Sequence, residues 1–317
     1  MLNFNEFAEY VEKNIKGALP ESVSENVEVS LRNVKENNNT ELCGIEIKNL
    51  EQRIAPILYL DGFYKAYQDG ASLEECMCKI ADDVVKSGFS NIPGYARNIV
   101  DEILDFEKIK DRIIVNVINT ERNSKMLEEV PHTEVEDLSF IYKILLTSEE
   151  HESATITIKN EHLALWNDVT LEKLHEVAFA NSRRLLPVKV DSMCNILMGM
   201  LNSDDAENDL VNDLGLHEDM GCPMYVISNT MFLHGAAAIF YSDALSKISE
   251  ELGENLYVLP SSVHEVLVVN DKSGTPEELV KMVKEVNGSE VAIEEQLSDH
   301  VYCFCAETHE FKIADVA

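Results

Sequence analysis

The sequence predicts an α+β fold, with antiparallel sheets and flanking helices arranged in two parts. Helical and strand patterns alternate irregularly along the chain, and neighbouring strand segments are joined by hairpin-length links. The chain is 317 residues long with 45% apolar residues, enough for roughly two domains at about 150 residues each. We place the division near residue 130, giving an N-terminal α+β part, 1–130, and a C-terminal α+β part, 131–317.

In the first part, Asn3 and Glu6 have capping-box spacing, and Phe4, Phe7, Val11, Ile15 and Leu19 form one apolar stripe that Pro20 ends. Val27–Val34 and Leu42–Ile47 read as strands, and the polar turn at 35–40 makes them an antiparallel hairpin. Ile54–Leu60 fits either a strand or a buried helix. Ser72 with Glu75 opens a helix through Leu73, Met77, Ile80 and Val84, ending at Gly88. A further helix is expected from Tyr95 to Glu107, then a β-branched strand at Ile113–Ile118.

In the second part, Leu138–Thr147 and Ala154–Lys159 read as strands. Thr170 caps a helix carrying Leu171, Leu174, Ala178 and Leu185, which Pro187 closes. Met224–Ser228 is a short strand, and Ser242 caps a helix that ends at Gly253. Leu256–Leu259 and Glu265–Val269 are strands joined by a tight connection. Thr275-Pro276-Glu277-Glu278 combines an N-cap, a first-turn proline and a capping box, and starts a helix ending at Gly288. Val301–Cys305 and Phe311–Ile313 close the chain as a hairpin.

Charge narrows the choice of partner. Lys+Arg number 26 against 58 Asp+Glu, a formal net charge of −32. Such a field opposes direct binding to nucleic acid or to an anionic membrane. Asp204, Asp205, Glu207, Asp209, Asp213, Glu218 and Asp219 lie within sixteen residues, in a stretch without Lys or Arg. They read as a solvated acidic loop or a docking patch for a basic protein; an EF-hand loop is excluded because its alternating acids and central glycine are missing.

The seven cysteines are odd in number and scattered, and no apolar signal core opens the chain, so a cytoplasmic protein with reduced thiols is expected. Around His300-Val-Tyr-Cys303-Phe-Cys305 the spacing fits no zinc finger, and alternation puts His300 opposite Cys303. Two core thiols are expected there and no metal. Trp166 reads as core filling. Arg183 and Arg184, late in a helix, read as offsetting its dipole and pairing with acids.

Signatures of chemistry are mostly missing. The chain has no G-x-G, no Gly-Lys pair, no G-x-S-x-G, no S-x-x-K and no H-E-x-x-H. No cofactor is expected. One constellation remains, Ser261, Ser262, His264 and Glu265, beside the connection between two apolar strands. It reads as a Pro-Ser turn whose hydroxyls serve the loop backbone. The alternative is a hydrolase in which a serine attacks and a histidine, His264 or His234, acts as base.

Trp166-Asn167, Asn181-Ser-Arg-Arg-Leu-Leu-Pro187, Met224-Tyr-Val-Ile-Ser-Asn229, Gly235-Ala236-Ala237 and Leu259-Pro-Ser-Ser-Val-His-Glu-Val266 carry a family likeness. The chain resembles, over almost its whole length, a family of bacterial proteins common in gut anaerobes and described as a domain of unknown function. From about Trp166 to Val269 the element order is also similar to that of the uncharacterised YtpQ-like proteins. The resemblance implies a bacterial, cytosolic, soluble protein with no established cofactor, and it assigns no role to Ser261–Glu265. The leading expectation is therefore a non-catalytic acidic interaction module that engages a basic protein, in a sharper version as a nucleic-acid mimic.

Overall fold

A computed structural model describes residues 1–25, 27–49, 57–86, 99–146, 154–193, 196 and 224–314. The chain forms two compact units, Met1–Leu104 and Asp105–Ala317. Residue 130, the division read from sequence, lies between two strands of the second unit that pair with each other over seven residues.

The first unit opens with α1, Phe4–Ala18, whose Asn3–Glu6 capping box is present in full. Strands β1 (Val27–Lys35) and β2 (Glu41–Asn49) form the expected hairpin, and β3 (Ile57–Tyr59) adds to β2, all antiparallel. The segment left open between strand and helix is therefore strand over Ile57–Tyr59, and Leu60 starts the next helix. Helix α2, Asp61–Gln68, was not evident from sequence, while α3, Leu73–Lys86, starts at the Ser72–Glu75 box. Phe7, Val11 and Ile15 of α1 pack with Ile45 and Ile47 of β2 and with Ile80 and Val84 of α3 into one core. Gly44 of β2 is buried where a Cβ would collide with Ile57 of β3, which accounts for a glycine in mid-strand.

The helix expected over 95–107 is interrupted. Ile99–Glu102 is helical, but Asp105 is extended and its side chain accepts the Glu107 N–H at 3.1 Å, starting a separate turn, Phe106–Ile109. Residues 95–98 lie outside the described residues. An aspartate that prefers to cap has overridden the apolar period.

The second unit holds two antiparallel sheets. In one, β6 (Leu138–Leu145) is central, β4 (Ile113–Asn119) lines one edge, and β5 (His132–Val135) and β7 (Thr155–Thr157) share the other end to end. Helix α4, Leu171–Leu185, is capped by Thr170 as expected and packs on β4. The outer edge of β4 is closed by α4: Ser182 Oγ accepts the Val115 N–H at 2.9 Å, and Asn181 donates to the Ile113 carbonyl at 3.0 Å. Arg184 donates to the Asp111 carbonyl, and Arg183 to that of Tyr241. Both stand in the last turn of α4, as expected, and bind backbone carbonyls; among the described residues neither forms an ion pair, though Arg183 adds to Lys247 in lowering the Asp243 pKa.

The other sheet has six strands in the order β13-β12-β10-β11-β9-β8. They are β8 (Val188–Ser192), β9 (Tyr225–Asn229), β10 (Leu256–Leu259), β11 (Val266–Asn270), β12 (Tyr302–Phe304) and β13 (Phe311–Ile313). The expected pairing of β10 with β11 is present, as is the β12–β13 hairpin. Helix α5, Ala244–Leu252, ends at Gly253 with φ 67°, and α6, Pro276–Ser289, carries the Thr275–Glu278 capping box. The two sheets meet at Asp137, in the β5–β6 turn, which accepts from Asn119, Ser298 and Tyr302.

Trp166 is buried against Phe106, as expected of a core residue. Cys303 and Cys305 are only half-buried, and β12 ends at Phe304, which leaves Cys305 outside the strand. Among the described residues no helix is long and apolar enough to cross a membrane, and no three His, Cys, Asp or Glu are grouped to hold a metal ion.

Candidate functional site

The Ser261–Glu265 loop joins β10 to β11, and the loop following β9 packs against it. The Ser262 hydroxyl and the His264 imidazole bind backbone. The Ser262 N–H donates to the Glu265 carbonyl at 3.1 Å, and Ser262 Oγ accepts the His264 N–H at 3.0 Å. Val263 is buried and donates its N–H to the Glu295 carbonyl. The His264 carbonyl receives the Ser228 hydroxyl at 2.7 Å.

The His264 ring engages the loop that follows β9. Its Nδ1 lies 3.0 Å from the Phe232 carbonyl and 3.4 Å from the His234 backbone nitrogen. One nitrogen cannot donate to the first and accept from the second. The carbonyl can only accept and lies closer, so we place the proton on Nδ1 and the ring's lone pair on Nε2. Among the described residues, no hydrogen bond joins the hydroxyl of Ser261 or Ser262 to either imidazole, and none orients the Glu265 carboxylate onto one. The structure thus gathers Ser261, Ser262, His264, Glu265 and His234 into one neighbourhood without the serine–imidazole couple that nucleophilic catalysis requires.

His234 is the unexpected member. Asn229, fully buried at the end of β9, holds the loop by accepting the N–H of Met231 and of Leu233 and donating to the Leu233 carbonyl. That tight turn drives Phe232 and His234 into the left-handed region, at φ 52° and 51°. Two non-glycine residues there carry strain of order 1–3 kcal/mol each. The His234 ring stacks nearly parallel on that of His264, 6.0 Å between centroids, and its two buried ring nitrogens have no hydrogen-bond partner among the described residues. Burial drives its pKa well below 6.5, with Lys143 and His264 adding in the same direction, so it is neutral.

Burial of a neutral imidazole makes stability pH-dependent. The unfolded chain binds a proton at His234 as pH falls through about 6.5, while the folded chain does not until well below that, so stability drops on acidification. His175 and His162 are lowered by burial too and act in the same sense. Urea unfolding at pH 7 and pH 5 should show a larger loss in wild type than in His234→Asn, whose side chain tolerates the left-handed backbone and does not titrate. The limiting contribution is about 1.4 kcal/mol per pH unit; equal losses in the two proteins would refute it.

Four of the five segments that carried the family likeness meet at this place; the fifth, Trp166-Asn167, packs against Phe106 instead. Gly235 is buried where a Cβ would overlap the Ser228 hydroxyl and the His264 carbonyl, and the Tyr241 hydroxyl donates to the Leu186 carbonyl. Burial raises the Tyr241 pKa to about 12, so that hydroxyl keeps its proton. Asn181 and Ser182 act on the β4 edge of the other sheet, and Arg183 on the Tyr241 carbonyl. Asn229 and Tyr241, absent from our sequence-based candidates, are recognisable only once these segments are brought together. The acids Asp204, Asp205, Glu207, Asp209, Asp213, Glu218 and Asp219 lie outside the described residues.

No curated protein and no solved structure matches the chain. A family model does match, over residues 4–306, in agreement with the likeness seen in those segments; it says nothing of the YtpQ-like proteins. By that match the chain belongs to DUF5688, a family of unknown function.

Proposed function

We propose that the protein is a non-catalytic acidic module that binds a basic protein partner. The observation carrying this reading is the net charge of −32 and its placement. Residues 105–317 hold 40 acids against 16 Lys+Arg, while residues 1–104 hold 18 against 10. The hydrogen bonds of the Ser261–Glu265 loop support it, since Ser262 Oγ and His264 Nδ1 are engaged with backbone. A partner that itself binds DNA or RNA fits the charge, with the acidic stretch of the second unit facing its basic surface. The hydrolase alternative has no further observation in its favour.

The test is a titration of the full chain with a labelled lysine-rich peptide at two salt concentrations. Raising salt from 50 to 200 mM should weaken binding at least tenfold. Neutralising the seven acids together (D204N, D205N, E207Q, D209N, D213N, E218Q, D219N) should weaken it by a similar factor at low salt. Unchanged affinity in that variant would overturn the assignment to this stretch. In parallel, a broad serine-hydrolase probe should leave the protein unlabelled; labelling abolished by Ser261→Ala or Ser262→Ala would reinstate the enzyme.

A further inference from the structure

Strand β1 stands at the edge of the first unit's sheet, and its alternate backbone groups face outward. Antiparallel pairing alternates hydrogen-bonded and non-hydrogen-bonded residue pairs. Because the Leu31 N–H donates to Glu12 of α1, Leu31 belongs to the outward set, and so by alternation do Val27, Val29 and Asn33. Lys16, one turn beyond Glu12, donates to the Val27 carbonyl at 3.0 Å. Helix α1 therefore pins the edge at two points. Between them the N–H and C=O of Val29 point outward, and no hydrogen bond to them is found among the described residues. The contrast with β4 is direct, since there Ser182 and Asn181 close the edge.

The open point lies in a groove of about 590 Å³ lined by Val29 and by the cations Lys13, Lys16, Arg32 and Lys48. The lining also holds Glu12, Glu28 and Glu46, so four cations against three acids leave the groove at +1 on a chain of net charge −32. The groove's acids are partly committed: Glu12 holds the Leu31 N–H, and Glu46 takes Arg32 and the Ser30 hydroxyl. Glu28 stands across the ladder from Lys48. Lys16 is spent on a neutral carbonyl, and neither it nor Lys48 has an ion pair among the described residues. Register puts Glu28, Ser30, Arg32, Glu46 and Lys48 on one face of the hairpin and Val27, Val29 and Leu31 on the other.

We infer that β1 accepts an extended peptide from a partner protein as an added strand, with acidic side chains alternating with apolar ones. Backbone pairing at Val29 and Asn33 supplies the docking, while Lys48 and Arg32, which exchanges Glu46 for the incoming carboxylate, select the acidic residues; Lys13 stays paired with Glu9 and Lys16 with the Val27 carbonyl. Apolar residues of the incoming strand follow the side of Val29 and Leu31. A second copy of this chain is disfavoured as the occupant, because two chains of −32 repel. This groove belongs to the first unit, and the partner proposed for it has the opposite charge to the basic partner proposed above.

The experiment titrates full-length protein with a fluorescein-labelled octapeptide of alternating Glu and Val, followed by anisotropy. Val29→Pro removes the outward N–H at an edge position, where proline is tolerated, and should weaken binding at least tenfold. Arg32→Glu, a surface change that leaves the backbone intact, should weaken it at least fivefold. The same octapeptide N-methylated at alternate amides, and a Lys-Val octapeptide, should each bind at least tenfold more weakly than the parent. Circular dichroism and thermal melts matching wild type show that the variants fold. Equal affinity in Val29→Pro and wild type would overturn strand addition, leaving charge alone, and equal affinity for the Lys-Val peptide would overturn the acidic selection. A concentration-dependent dimer abolished by Val29→Pro would overturn it in favour of a second copy.

Discussion

Replacing Gly235 by alanine should destabilise the second unit by about 3 kcal/mol, at the upper end for adding one methyl group to a filled interior. The added Cβ would sit well under 3.0 Å from both the Ser228 hydroxyl oxygen and the His264 carbonyl. Neither can withdraw cheaply, since Ser228 Oγ and that carbonyl are bonded to each other at 2.7 Å and both belong to the β9–β11 side of the sheet. For a unit of about 200 residues the loss corresponds to a fall in melting temperature of roughly 6–12 °C. Ser228→Ala in the same chain removes one of the two overlaps, so the double variant should recover part of the loss instead of adding to it. A fall of less than 2 °C in Gly235→Ala would mean that the β9 and β10–β11 loops are not packed as described.

Asp137→Ala should cost about 3–4 kcal/mol. One carboxylate oxygen accepts the Ser298 hydroxyl at 2.7 Å and the Asn119 amide at 3.1 Å, and the other accepts the Tyr302 hydroxyl at 2.7 Å. Ser298 is 0% and Tyr302 1% exposed, so deleting the carboxylate removes the acceptor to which each of these buried hydroxyls donates, at about 1–3 kcal/mol each. The same residue's carbonyl accepts the Thr120 N–H, which ties β4 to the turn and survives the substitution. Asp137→Asn should recover part of the loss, because a hydroxyl can turn round and accept from the amide where it formerly donated. Chemical denaturation of the three proteins reads this directly; an Ala variant within 1 kcal/mol of wild type would show that water replaces the carboxylate.

The candidate site was only partly legible in the sequence. Ser261, Ser262, His264 and Glu265 are neighbours in the chain, so their proximity was visible, as was the reading of Ser262 as a hydroxyl serving the loop backbone. The direction of the His264 ring was not. It depends on the Phe232 carbonyl, 32 residues away, which reaches it because Asn229 folds its loop into a left-handed turn. Asn181 and Ser182 read as ordinary late-helix residues until β4 lies alongside and presents an edge that needs partners.

By itself the sequence determined the α+β class, the capping boxes at Asn3, Ser72 and Thr275, and the β1–β2 and β10–β11 hairpins. Each of these is local: a cap joins residues three apart, and a hairpin is set by a short turn between two alternating runs. Only the tertiary structure decided that His132–Val135 and Val188–Ser192 are strands, since they are short and rich in polar residues, and their backbone is extended because β6 and β9 offer hydrogen bonds. It likewise decided which strand edges are closed. A side chain that caps an edge comes from wherever in the chain the packing brings it, and no local pattern records that distance.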